Sequence, residues 1–221
     1  MIERDGIVRN EPSKGLARLV VAAVSSRHRL TLGLGIVLVT GTVAATLFAA
    51  NRFGRGDPEL QGPRIGGHFT LSMPDGREVS DRSFRGKWML VYFGYTFCPD
   101  VCPTALSDMT LAIQQLGPLA DKVQPIFITV DPQRDTPRIM ADYVGSFDPR
   151  FMALRGTPEQ TAAAAKEYRA YYAVRRLGDD EYAIDHSSFL YLMNPEGALA
   201  KLLTSSLPSH QMADELRRII R

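Results

Sequence analysis

The stretch Leu30–Ala50, "LTLGLGIVLVTGTVAATLFAA", constrains this chain more than any other segment. It runs 21 residues without a charge. At ~1.5 Å rise per residue a helix of that length extends roughly 31 Å, about one bilayer hydrocarbon core. A buried core helix rarely runs so long without a charged residue. A cleaved leader would have a shorter apolar run, a shorter leading segment than the 29 residues here, and a small-x-small pair near Leu47-Phe48-Ala49-Ala50, which is lacking. The early acids Glu3, Asp5 and Glu11 also argue against an organellar transit peptide. A single transmembrane helix over residues 30–50 is expected.

Charge sets its orientation. Residues 1–29 carry six Lys/Arg against three acids, whereas Arg52, Arg55 and Arg64 beyond the span are diluted by Asp57 and Glu59. This bias predicts a cytoplasmic N-terminal segment, 1–29, and a C-terminal domain across the membrane. In a bacterium that means a single-pass inner-membrane protein with a periplasmic domain. The rest of the chain holds 20 basic and 21 acidic residues. A domain so nearly neutral lacks the basic face that nucleic-acid binding needs, so no nucleic-acid partner is expected. Two cysteines are too few for a disulfide scaffold, and a domain of about 150 residues needs none.

Residues 51–63, "NRFGRGDPELQGP", read as a Gly/Pro-rich linker. Domain-like patterning begins at about residue 64 and continues to 221. "HFTLSMPDGREVS" alternates on both sides of Pro74-Asp75-Gly76, a hairpin signal. The run Trp88–Phe93 suits a strand buried on both faces. A helix is expected from about Pro103, with Leu106, Met109, Ile113 and Leu116 on one face. Val123–Val130 reads as the next strand, with Pro125 limiting its first residues.

Further helices are expected from near Pro137, from the Thr157/Gln160 capping box, and from Pro208. Before the last of these, Phe189–Met193 and Leu199–Leu203 flank a turn at Asn194-Pro195-Glu196-Gly197. The order, a β-hairpin, two βα units, a helix, a hairpin and a closing helix, is α/β. It is the layout of a thioredoxin-like fold with an extra N-terminal β-hairpin and an insertion. In that layout the loop after the first βα strand is a usual place for chemistry. Here it reads "GYTFCPDVCPT", Gly94–Thr104, and it holds both cysteines of the chain, Cys98 and Cys102.

Cysteines at i and i+4 around a helix start can turn both sulfurs to one side. The helix N-terminus lowers a thiol's pKa, which makes thiolate available for disulfide exchange or for metal binding. A structural bridge would close a tiny loop and stabilise little. Thioredoxin-type oxidoreductases carry Cys-x-x-Cys and a proline before the later strand. This chain has one more residue between its cysteines, and Tyr182–Ser188, "YAIDHSS", reads as a loop with no proline. His186 stands there instead, on a loop expected to face the cysteines. Two thiolates and an imidazole suit Cu(I), and with an open position also Zn(II) or Cu(II).

Three blocks carry a resemblance: "YFGYTFCPDVCPT" (92–104), "TVDPQRDTP" (129–137) and "DHSSFLYLMNPEG" (185–197). In type and order they resemble the signatures of the Sco/SenC family, membrane-anchored thioredoxin-fold copper proteins that assist cytochrome c oxidase assembly. The resemblance covers about residues 64–221. It implies copper, as Cu(I) and also Cu(II), held by Cys98, Cys102 and His186. It further implies delivery to the copper A centre of oxidase subunit II, or to another copper-receiving protein, or else reduction of that subunit's cysteines. A copper chaperone and a thiol–disulfide reductase thus compete on the same residues, with Cys98 and Cys102 as the redox pair. The imidazole favours the chaperone, because disulfide exchange does not need it. A peroxiredoxin is disfavoured, since Tyr95 stands where its Pro-x-x-x-Thr-x-x-Cys motif has threonine. A monomer is expected.

The remaining candidates read as supporting or ordinary residues. Asp135, before Thr136-Pro137, is expected to cap a helix, and Asp131 to form a turn beside the cysteine loop. Asp100 and Asp185 adjoin the candidate ligands and are expected to orient them. His28, His68 and His210 have no cysteine neighbour in sequence, and Met109, Met140, Met193 and Met212 fall at core spacing.

Overall fold

The computed structural model describes residues 64–179 and 181–220, which belong to one compact unit, Gly62–Arg221. The anchor and linker expected at 30–50 and 51–63 lie outside the described residues. Among the described residues no helix is long and apolar enough to cross a membrane.

The chain opens with a hairpin, β1 (Thr70–Ser72) and β2 (Glu78–Ser80), closed where the expected Pro74-Asp75-Gly76 turn lies. Gly76 takes φ +88 there, a left-handed conformation that glycine adopts without strain. Next come β3 (Trp88–Gly94), α1 (Val101–Gln115), β4 (Val123–Thr129), α2 (Pro137–Val144), β5 (Met152–Leu154) and α3 (Pro158–Tyr168). A second hairpin, β6 (Tyr172–Arg176) and β7 (Tyr182–His186), precedes β8 (Phe189–Met193), β9 (Leu199–Thr204) and α4 (Ser209–Ile219).

Five strands form one mixed sheet in the order β5-β4-β3-β8-β9. β3, β4 and β5 run parallel, while β8 is antiparallel to both β3 and β9. All but the first residue of β3 is buried, as its unbroken apolar run requires of a central strand. β4 pairs with β3 over its full length, including Pro125 against Leu90. The proline is tolerated because β5 joins only at Ile126, which leaves β4 paired on one side at that point. The apolar faces expected of the helices are buried: Leu106, Met109, Ile113 and Leu116 on and just after α1, Met212 and Leu216 on α4. α1 and α4 pack together, and Met109, Met140, Met193 and Met212 are fully buried in the core.

Two expectations are corrected. Tyr182–His186 is a strand, so His186 ends an element where a loop was expected. The insertion is the hairpin β6–β7, a separate two-stranded sheet in which Ile184 is the one buried residue. The cap of α2 is Thr136, whose hydroxyl accepts from the Ile139 N–H at 3.3 Å, and Asp135 has another role.

Candidate metal centre

β3 ends at Gly94, and the chain crosses to α1 through Tyr95–Asp100. Val130 N–H donates to the Gly94 carbonyl at 2.8 Å, which carries the β3–β4 ladder to the edge of this loop. A Cβ at residue 94 would stand 2.8 Å from Cys102 Sγ and 3.0 Å from the Phe127 and Tyr92 rings. Glycine therefore lets the sulfur sit directly against the strand end. α1 begins at Val101, two residues before the expected Pro103, and this puts Cys102 inside the first turn and fully buried. Cys98 lies in the loop before it, 8% exposed, with its N–H bonded to the Tyr95 carbonyl at 3.2 Å. Both are free thiols.

His186 reaches these sulfurs from the end of β7. Its Nε2 lies 3.3 Å from Cys102 Sγ. Its Nδ1 lies 3.2 Å from the Ser187 carbonyl, an oxygen that can only accept. That bond places the proton on Nδ1 and leaves the Nε2 lone pair facing the thiols, the arrangement a metal-binding imidazole needs. Tyr92 and Tyr95 meet the ring edge-on, with centroids 6.0 and 5.8 Å away, and fix its plane. One donor atom from each of Cys98, Cys102 and His186 comes within 4.8 Å of the others. The three candidates brought forward from the sequence meet at one point.

The two thiols are electrostatically unequal. Contact with Cys102 pulls the Cys98 thiol far below the ordinary range. Burial opposes that shift, while the backbone N–H groups of Asp100 and Cys102 add to it. The same contact, reinforced by burial, pushes Cys102 upward. The two shifts run in opposite directions, and the helix N-terminus beneath the pair favours negative charge on it. Tyr92 Oη donates toward Cys102 Sγ at 3.8 Å.

The acidic residues divide differently from expectation. Asp185 is exposed and paired with Arg175 at 3.2 Å, and the contact it was expected to make with His186 comes from the Ser187 carbonyl. Asp100 makes no side-chain cap; it serves Cys98 through its backbone N–H. Asp135 is fully buried. It accepts from the Thr96 N–H at 3.1 Å, the Thr96 hydroxyl at 2.6 Å and the Thr129 hydroxyl at 2.5 Å, tying the cysteine loop to the end of β4. Burial raises its carboxyl pKa against the pull of these bonds. Asp131, 3% exposed, accepts from Arg134 Nε at 2.5 Å and from the Tyr182 hydroxyl at 2.9 Å. The sequence held no local sign that Thr96 meets Asp135 or that Arg134 and Asp131 meet Tyr182, because these partners lie far along the chain or in an unforeseen strand. His68 pairs with Asp81 at 3.1 Å and His210 is exposed, both away from the thiols, while His28 lies outside the described residues.

A thioredoxin-like domain whose first βα loop and a late strand converge two thiols and an imidazole belongs to a metal- or thiol-handling class. Residues 57–221 match the family model described as SCO1/SenC, and the chain belongs to that family. Protein SenC of Rhodobacter capsulatus is 43% identical over 180 residues, covering 78% of this chain and 80% of that protein. The human mitochondrial SCO2 homolog is 43% identical over 155 residues; the match covers 69% of this chain but only 58% of that protein's length. Among solved structures, Bradyrhizobium japonicum ScoI with copper bound superposes with a TM-score of 0.66 at 41% identity, covering 70% of this chain and 99% of that one.

Proposed function

We propose that this protein is a membrane-anchored copper chaperone that holds copper through Cys98 Sγ, Cys102 Sγ and His186 Nε2. Convergence of those three donors within 4.8 Å carries the reading. Two sulfurs and one nitrogen match the low coordination and soft ligands that Cu(I) prefers. A relative 41% identical to this chain was solved with copper bound, which supports the same cargo here. The metal leaves by ligand exchange: an incoming thiolate or imidazole of the receiver adds as one protein donor departs. Phe97 and Val101, 52% and 45% exposed, flank the thiols and offer an apolar rim to that receiver. The receiver in this reading is the copper A centre of cytochrome c oxidase subunit II. The uncharged span 30–50 anchors the domain at the inner membrane, with the domain in the periplasm.

A second reading rests on the unequal thiols. The Cys98 thiolate attacks a partner disulfide and displaces one partner thiolate. Cys102 then loses its proton and attacks the mixed disulfide, which releases the second partner thiol and leaves a Cys98–Cys102 disulfide. The partner gains two electrons and the pair loses two.

Anaerobic Cu(I) titration of the reduced full chain against a chromophoric chelator separates these readings. The chaperone binds one equivalent, and Cys98→Ser or Cys102→Ser abolishes tight binding. A wild-type chain that takes no copper from the chelator, yet reduces disulfides, overturns the chaperone in favour of the reductase.

A further inference from the structure

The β6–β7 hairpin that carries His186 is held to the domain at few points. Outside its own ladder, four of its five β7 residues are at least partly exposed, and a cavity of about 650 Å³ opens between the hairpin and Val130, Asp131 and Pro132. Ile184 packs into the core and the Tyr92 and Tyr95 rings set the plane of the imidazole. Two polar attachments join the body of the hairpin to the domain. Ile184 N–H donates to the Tyr95 hydroxyl at a long 3.4 Å. The other attachment is built around Arg134, in the turn after β4.

The Arg134 guanidinium lies over the Tyr182 ring, its Cζ 3.7 Å from the ring centroid. Its Nη1 donates to the Tyr182 carbonyl at 2.9 Å. Its Nε donates to Asp131 at 2.5 Å, and Asp131 in turn accepts from the Tyr182 hydroxyl at 2.9 Å. Tyr182 is thus gripped at its carbonyl, its ring and its hydroxyl. The same guanidinium stands 5.1 Å from the Phe97 ring and 5.7 Å from the Tyr95 ring, both in the cysteine loop. One planar cation touches the segments that supply both kinds of donor. Its remaining nitrogen, Nη2, is buried without a hydrogen-bond partner, so the group is placed by ring stacking and by two bonds, at the expense of a third.

We infer that Arg134, with Asp131 as its anchor, is a positioning residue that sets the distance between His186 and the thiols. It clasps Tyr182, four residues before His186 on the same strand, and so holds the imidazole in the three-donor arrangement. With the clasp open, the hairpin keeps its own ladder but swings on the weaker Tyr95 attachment, and the two thiolates remain as the sole ligands. The inference rests on the proposed role of His186 as a ligand.

The test is a double-mutant cycle on the full chain, comparing wild type, Arg134→Ala, His186→Ala and the double variant, with copper affinity as the readout. Arg134→Ala should weaken Cu(II) roughly tenfold or more, the usual loss when an outer-shell partner is removed. Cu(I), which two thiolates can still hold, should lose less. Added to His186→Ala, the same substitution should change nothing further, because there is no imidazole left to position. X-ray absorption of the Arg134→Ala variant should show a diminished nitrogen contribution at copper while both sulfurs persist. A merely structural arginine would lower the melting temperature and leave that spectrum and the cycle additive. If Arg134→Ala does not fold, Arg134→Lys keeps the charge, loses the planar fork and reads the same cycle. Additive losses, or an unaltered nitrogen contribution, would overturn the positioning role. Unchanged affinity in His186→Ala would overturn the ligand reading itself, a separately legible outcome.

Discussion

At the scale of single residues, Asp135 shows how one carboxylate can satisfy two grammars. Asp-Thr-Pro before a helix reads as a cap, and the cap exists, but Thr136 makes it. Asp135 turns inward and joins Thr96, 39 residues earlier, to Thr129. The two roles separate by mutation. Thr136→Ala should lower stability by about 1 kcal/mol, as loss of an exposed cap does. Asp135→Ala should cost roughly 2–4 kcal/mol, because it strands the Thr96 N–H and a buried Thr129 hydroxyl. Urea unfolding of both variants checks the order, and equal losses would return Asp135 to a capping role. No local pattern distinguishes the two residues, since the partner that decides between them, Thr96, lies 39 residues back along the chain. Cys98, Cys102 and His186 were legible for the opposite reason: their chemistry is rare and the fold order brings their segments together.

At the scale of elements, the strands and helices that carry the core were legible because burial imposes period and composition on them. β3, β4 and α1 show this directly. β6 and β7 did not have that signature. Apart from buried Ile184 their residues face solvent or a neighbouring cavity, and their polar hold on the body comes through Arg134 and Tyr95. Three-residue β5 was too short to show a pattern. The turn between α2 and β5 carries its own electrostatic lock, where Asp148, 3% exposed, accepts from Arg150 Nε at 2.7 Å and Nη2 at 2.6 Å. The Arg150 side chain beside it holds the Asp148 carboxyl below the usual carboxylate range, against the effect of burial. A depressed native pKa gives stability that is complete above the unfolded value of ~3.9 and lost as pH falls through the native one. Asp148→Asn should therefore lower the melting temperature at neutral pH, with the difference from wild type shrinking below pH ~3.9. A difference that stays constant across that range would mean the lock contributes through packing alone.

At the scale of the whole molecule, the loop after β3 and the first turn of α1 present the cysteines, and a hairpin outside the five-stranded sheet brings the imidazole to them. This division suits a protein that must hold a metal and then let it go. Both thiols are buried, whereas the third donor ends a strand with a single buried residue. The central claim is that copper is bound by two sulfurs and one nitrogen. X-ray absorption of the copper-loaded full chain, beside its His186→Ala variant, tests it most directly. The wild type should show two sulfur donors and one imidazole nitrogen, and the variant two sulfurs with the imidazole signal gone. A wild-type spectrum with sulfur donors alone, identical to that of the variant, would contradict it.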